Sequence, residues 1–373
     1  MNIENMDEKN KPFLFTIGIT ALIFLLFSSS VYANAGTPLI LAGIFHLPIG
    51  NAIIGLIEGL IIFRFFKTNK ILSILAMVIA NYASMFAGMF LMGILYGKTE
   101  NVISIYNVTY ALMALLFTFF LITLIIEWPF CFVLFIKQGK KITRSLYAVI
   151  IVNTISYILL IPFYWLFSGL SLINGTELDK TLSFVKDDKA WVYYISPNDG
   201  DIYRAKLNGT SVQKIKDAKI SGKYKQLFLR PADEKPYMDL WVLDKENSLK
   251  GPEYLIISHV IDHVTVSSYQ KEKDFAPWFK SVDFRPDEQR DWDVYTGFWS
   301  IEGLSAKNKK TGQHFWIALE TPFIDWSMRN LTILPNDQVI FQLGDNQIII
   351  LDLNSRKLGL ITKGRSPVVI MGN

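Results

Sequence analysis

The sequence predicts an α-helical transmembrane bundle followed by an all-β domain, best read as a small β-propeller of about four blades, with an irregular β-sandwich as the alternative. Three observations lead there. Hydrophobic residues make up 51% of the 373-residue chain, and the excess lies before Ser171. From about Phe184 onward the pattern changes to short β-rich runs separated by Gly, Asn, Asp and Pro, as strands and tight turns require. Charge divides at the same place, with ten Lys/Arg against six Asp/Glu up to Asn174 and 27 against 27 after it. The implied organisation is a leader over 1–35, a membrane domain over 36–170, a linker over 171–183 and an extracytoplasmic β domain over 184–373.

The leader reads as a signal peptide or an uncleaved signal anchor. An apolar run from Phe13 to Phe27 follows Lys9 and Lys11, and the small residues around Ala33 and Ala35 suit cleavage. Four further stretches reach the roughly 20 apolar residues that cross a hydrocarbon core. They run from about Leu39 to Phe66, Ile71 to Tyr96, Ile105 to Phe135 and Leu146 to Leu170. Pro48 and Gly50 interrupt the first, so a bent or re-entrant lead-in is expected before a span starting near Ile49. Arg64, Lys67 and Lys70 flank one connection and Lys137, Lys140, Lys141 and Arg144 another, whereas the loop between them carries only Lys98. The positive-inside bias puts both basic loops in the cytoplasm and everything after about Leu172 outside it.

Polar residues within the spans are the first candidates for function. Asn51, Gly55 and Glu58 fall on one helix face, with Gly55 and Gly59 forming a small-residue pair that lets another backbone approach. Glu58 lies near mid-span, where an ionised carboxylate is costly, and must be neutral, paired or wet. Asn81 and Asn153 lie at comparable depth as hydrogen-bond partners, and His46 stands at the outer entrance. Glu127, in Glu127-Trp128-Pro129, is placed near the cytoplasmic end of its helix, within reach of water or Lys137, and read as structural.

In the β region, Val192 to Ile215 and Val339 to Ile361 align as three-stranded meanders. A second echo, LFLRPADE, VDFRPDE and LTILPND, places a Pro and an acidic residue after a short apolar strand. Recurrence every roughly 40 to 55 residues is a propeller signature. These segments, with the turn Ser196-Pro197-Asn198-Asp199-Gly200, resemble blades of bacterial periplasmic TolB-like and WD40-like propellers. In that frame Trp191 to Ser196 should pair with Pro367 to Met371, closing the ring.

Two further resemblances concern the membrane half. Asn34 to Phe66 resembles the start of uncharacterised bacterial multi-pass membrane proteins, which implies the bacterial cytoplasmic membrane and no particular activity. HLPIGNAIIGLIEGLII resembles the His-containing helix of the membrane subunit of cobalt and nickel uptake systems, but Gly36-Thr37-Pro38 lacks the histidine of that family's metal-binding start.

The chain has no Gly-rich phosphate loop, nucleophile elbow, H-E-x-x-H or acidic calcium loop, so no catalytic residue, metal or cofactor is expected. His259 and His263 would stand about 13 Å apart on a strand, too far to share a metal. The neutral β domain has no basic stripe for nucleic acid. The chain's single cysteine, Cys131, lies in an apolar run of the membrane half and excludes an intrachain disulfide. Trp191, Trp241, Trp299 and Trp316 are expected to fill sheet cores. Asp291, Trp292 and Asp293, in a loop, are the expected surface contacts, together with Lys307 to Lys310. The expected function is a membrane-anchored binding or scaffolding module meeting an envelope protein or glycan. The alternatives are a transport or channel subunit built on Glu58, Asn51 and His46, and an envelope sensor.

Overall fold

The computed structural model describes residues 43, 45–95, 102–186, 189–222, 225–233, 237–244, 253–261, 281–283, 285, 291–296 and 303–371. The expected leader, Lys98, Asp262, His263 and Trp299 lie outside these residues.

Four helices are long and apolar enough to cross a membrane among the described residues. Here α1 is Asn51–Phe66, α2 Lys70–Leu95, α3 Val108–Val133 and α4 Lys141–Phe167. Their outward faces are apolar, with Phe90 73%, Phe117 61%, Ile125 70% and Ile158 62% exposed, while the polar residues face inward. Water would penalise that inversion and lipid rewards it, which makes this a membrane bundle.

The Pro48–Gly50 interruption does not break the first span. His46–Gly50 forms a π-helical turn running directly into α1, and the Tyr82 hydroxyl donates to the Pro48 carbonyl. One wider turn absorbs the proline, and most of the lead-in expected from Leu39 to Leu47 lies outside the described residues. The small-residue seam is present in α1 against α2. A Cβ on Gly55 would lie 2.6 Å from the Val78 Cα, and one on Gly59 2.5 Å from the Ile74 Cα.

The segment expected as a linker is built into the β domain. Helix α5 (Ser171–Asn174) buries Leu172, and β1 (Glu177–Leu178) pairs with a strand near the far end of the chain. Onward come β2 (Trp191–Ile195), β3 (Ile202–Lys206), β4 (Gln213–Lys216), β5 (Lys225–Pro231), β6 (Met238–Asp244), β7 (Glu253–Ile261) and β8 (Ser281–Asp283). Then follow β9 (Trp292–Thr296), β10 (Leu304–Asn308), β11 (His314–Ile317), β12 (Leu319–Glu320), β13 (Asp325–Trp326), β14 (Met328–Leu334), β15 (Gln338–Leu343), β16 (Gln347–Asp352), β17 (Lys357–Lys363) and β18 (Arg365–Ile370).

These make an all-β domain of several small sheets, ordered β18-β2-β3-β4, β5-β6-β7, β9-β10-β11, β1-β17-β16-β15-β14-β8 and β12-β13. Both meanders read from the sequence are present, and β18 pairs antiparallel with β2, Ile370 opposite Trp191. The turn after β2 is fixed by its residues. Gly200 has φ +73°, and its N–H donates to the Ser196 carbonyl. Asp201, itself buried, accepts from Lys214 Nζ at 2.6 Å and from the Ala218 and Lys219 N–H groups, each at 2.9 Å.

The bundle and the β domain share one core. Ile103, Ile105, Val108 and Leu172 pack with Trp292, Phe341 and Ile349. The Ile105 N–H donates to Gln347 Oε1 at 2.9 Å, the Leu360 N–H donates to the Tyr106 hydroxyl at 3.0 Å, and Gly169 exchanges two 2.9 Å backbone bonds with Glu320. All these contacts lie at the α3 N-terminus and α4 C-terminus, opposite the end bearing Arg64, Lys67, Lys137 and Arg144.

Replacing Gly55 or Gly59 by valine should force α1 from α2, at a cost of about 1–3 kcal/mol or more, read as an earlier unfolding transition of the detergent-solubilised chain. Lys214, with the Lys219 and Ala218 N–H groups, holds the Asp201 carboxyl down at about 2. Its folded value lies below the unfolded ~3.9, so its stabilisation is present above ~pH 4 and is lost as pH falls through about 2. Asp201→Asn should therefore lower stability at neutral pH and flatten the loss between ~pH 4 and 2 in acid titrations followed by near-UV dichroism.

Candidate functional site

In the middle of the bundle, Glu58 and Glu127 are each 0% exposed. Glu58, on α1, accepts from Asn81 Nδ2 on α2 at 2.6 Å and from Ser156 Oγ on α4 at 2.5 Å. On α3, Glu127 accepts from Asn153 Nδ2 on α4 at 2.9 Å and from Ser84 Oγ on α2 at 2.8 Å. Glu127 does lie near the cytoplasmic end of α3, six residues before Val133, but its expected reach to water or Lys137 is corrected: it is fully buried and bonded to Asn153 and Ser84.

The two sites are built alike. Each carboxylate takes one amide hydrogen from an asparagine whose other amide hydrogen goes to the carbonyl four residues back, Met77 O at 3.0 Å for Asn81 and Val149 O at 3.1 Å for Asn153. A serine three residues after each asparagine serves the opposite carboxylate. Ser73, Met77, Ala80 and Asn81, the buried residues of α2, stand 72 positions before Ser145, Val149, Val152 and Asn153, all buried on α4. SILAMVIANYAS from Ser73 thus aligns with SLYAVIIVNTIS from Ser145, identical at the Ser, Ala, Ile, Asn and Ser positions. Ile57-Glu58, Ile62 and Phe66 likewise stand 69 positions before Ile126-Glu127, Cys131 and Phe135. Helices α1–α2 and α3–α4 are therefore two copies of one hairpin, running in the same direction and sharing a polar centre.

Of the residues expected to act together, Glu58 and Asn81 do meet, while Asn153 serves Glu127, which the sequence reading sets apart as structural. Asn51 and His46 stand apart. Asn51 Nδ2 donates to its own helix, to Leu47 O at 2.9 Å and His46 O at 3.2 Å. His46 is hydrogen-bonded through Nδ1 to the Tyr164 hydroxyl, and its Nε2 has no partner among the described residues. About three helical turns, some 18 Å of rise, separate His46 from Glu58. Ser84 and Ser156 are absent from the sequence reading; the repeated N-x-x-S spacing is the signal that finds them.

Of the expected surface contact at Asp291, Trp292 and Asp293, the placement of Trp292 is corrected. Trp292 begins β9 and is 2% exposed, packing against Phe315 at 5.3 Å between centroids and donating from Nε1 to Asn354 Oδ1 at 3.2 Å. Apolar burial outweighs loop exposure for a side chain of this size. Asp291 and Asp293 pair with Lys310 at 2.8 Å and Lys309 at 2.9 Å. Among the described residues, no group of three or more His, Cys, Asp or Glu side chains is placed to hold a metal.

No protein-family model matches the chain, and no curated protein is significantly similar to it.

The network's chemistry follows from its donors. Amides and hydroxyls satisfy the carboxyl oxygens, and among the described residues no cation is bonded to either acid, so two full negative charges here would be heavily penalised. The Ser84 hydroxyl has one hydrogen but two acceptors, Glu127 Oε1 and the Asn81 carbonyl at 3.0 Å, and a protonated Glu127 could donate back to it. Asn81→Ala and Asn153→Ala should each destabilise the bundle by about 1–3 kcal/mol and by similar amounts, because each orphans one acid of an equivalent pair. Denaturant unfolding of the two variants in one detergent checks this equivalence.

Proposed function

We propose that this chain is a membrane-anchored binding or scaffolding protein of the bacterial cytoplasmic membrane, in which the helices hold a small β-propeller against the extracytoplasmic face. The observation that carries the anchor reading is the closed polar network. Glu58 and Glu127 spend their oxygens on Asn and Ser side chains of neighbouring helices, so the acids join four helices and present none of their surface to a pore. Support for the orientation comes from the basic residues, gathered at the end of the bundle opposite the β domain, where the positive-inside bias places the cytoplasm. Support for the propeller comes from four sheets of three or more strands and from the β18–β2 pairing, which joins the two ends of the β region. An envelope protein or glycan is the partner class that suits a rigid β domain held at this surface, by analogy with other propellers.

One observation favours a second reading, a proton-linked transport subunit. Two same-direction hairpins with paired midplane carboxylates resemble the repeat logic of secondary transporters, whose sites lie between repeats. The pair is Glu58 and Glu127, and not the Glu58, Asn51 and His46 group expected from sequence.

Proteoliposomes carrying a pH-sensitive dye separate the readings. The anchor reading expects proton flux at the level of empty liposomes for the native chain and for Glu58→Gln/Glu127→Gln alike. Native flux abolished in the double variant would replace it with the second reading. A reporter fused after Asn373 should be active only outside the cytoplasm.

A further inference from the structure

At the basic end of the bundle an open pocket of ≈730 Å³ lies between the α1–α2 and α3–α4 connections. Its lining includes Lys67, Lys140, Arg144, Gln138, Phe65 and Tyr147. That volume falls in the range of about 300–1,000 Å³ usual for small-molecule sites. We propose that this pocket binds the headgroup of an anionic glycerophospholipid.

Charge is the first ground. Three cations from the two connections line the pocket, Lys67 from one and Lys140 and Arg144 from the other, and the neighbouring Arg64, Lys70, Lys137 and Lys141 are also basic. The only carboxylates of the described bundle, Glu58 and Glu127, are consumed in the central network, about 13 Å of helical rise from Lys67. Neither the Lys67 nor the Lys140 side chain has a hydrogen-bond or ion-pair partner among the described residues, and Arg144 Nη1 meets only the neutral Gln138 Oε1 at 3.0 Å. An anion is the missing partner.

Backbone geometry is the second. Helix α4, 27 residues long, begins at Lys141 with no side-chain cap, so the first-turn N–H groups beside Lys140 are open to an anion. Lys67, the C-cap of α1, and Lys140, the N-cap of α4, both adopt left-handed backbone, with φ of 55° and 56°. Glycine or asparagine adopts that conformation at less cost; lysine is present at both.

The surroundings choose lipid over free phosphate. Phe65 is 76% exposed and Tyr147 64% exposed beside the cations, on a bundle whose outer face is apolar. A phosphate seated on Lys67, Lys140 and Arg144 would leave its acyl chains against these two rings, at the depth where bilayer meets water. The inference rests on the membrane-spanning character of the bundle and on neither functional reading above.

The test uses the full chain in nanodiscs of equal phosphatidylglycerol and phosphatidylcholine, with retained lipid identified by native mass spectrometry. The native chain should retain phosphatidylglycerol preferentially. Lys67→Gln/Lys140→Gln/Arg144→Gln should reduce that retention about tenfold relative to Arg64→Gln/Lys70→Gln/Lys137→Gln, which removes the same charge outside the pocket. Lys67→Arg/Lys140→Arg, which keeps the charge and guards against misfolding, should hold the preference. Equal losses in the two triple variants would reduce the site to diffuse surface charge, and absence of preference in the native chain would overturn it. Displacement of phosphatidylglycerol by inorganic phosphate at constant ionic strength would overturn the lipid assignment.

Discussion

The structure depends on one constraint: polar groups in the middle of a membrane bundle find no water, so the protein must supply every partner. Two glutamates in that position would tear the bundle open if left alone. Their oxygens are met by asparagine and serine from helices on either side, so that α2 and α4 each serve both acids. Removing any one member strands another. The polar centre is therefore the feature that fixes which four helices associate and at what relative depth. Packing alone specifies depth poorly here, because lipid and leucine are equally apolar.

Duplication makes that constraint easier to meet. Once one hairpin carries a glutamate on its first helix and N-x-x-S on its second, a copy running the same way supplies the complementary donors by symmetry. Each half then completes the other. The two copies have diverged where the environment differs. Gly59, against the α2 backbone, corresponds to Trp128, whose indole N–H reaches Ser145 Oγ at 3.0 Å, and Ile62 corresponds to Cys131. The glutamate, asparagine and serine of the network have not diverged, as expected if they hold the two hairpins in register.

Much of this was legible in the sequence, for reasons that differ by region. Apolar length placed the four spans to within a few residues, since a bilayer leaves little freedom in helix length. The strands of the first and last meanders, and the pairing of β18 with β2, followed from alternation and turn residues, because Gly200 and its neighbours dictate a turn locally. Trp292 was misplaced since Asp291 and Asp293 flank it, and local polarity says nothing about a core assembled from strands up to 60 residues away. The exposure of Glu127 was misjudged for a related reason. Its place near the end of α3 is legible locally, but its burial depends on Ser84 and Asn153 of two other helices.

The shared core between α3 and the β sheets also bears on how the molecule can move. Ile105, Tyr106 and Gly169 tie the β domain to two helices that belong to the same hairpin, the second copy. The first hairpin meets the second along α2–α3 and α1–α4, through the carboxylate network, the apolar cluster of Ile62, Met77, Cys131, Phe135 and Val149, and the His46–Tyr164 hydrogen bond. A tilt of the β domain would therefore be transmitted to α3 and α4 as a unit and reach α1 and α2 across that interface, whose polar route runs through Asn81, Ser84, Asn153, Ser156 and the two glutamates. Both ends of that route are fixed by short hydrogen bonds, so relative motion of the hairpins requires that those bonds be exchanged and not merely stretched. The polar groups that join the four helices are thus where a change of hydrogen bonding would accompany any such motion.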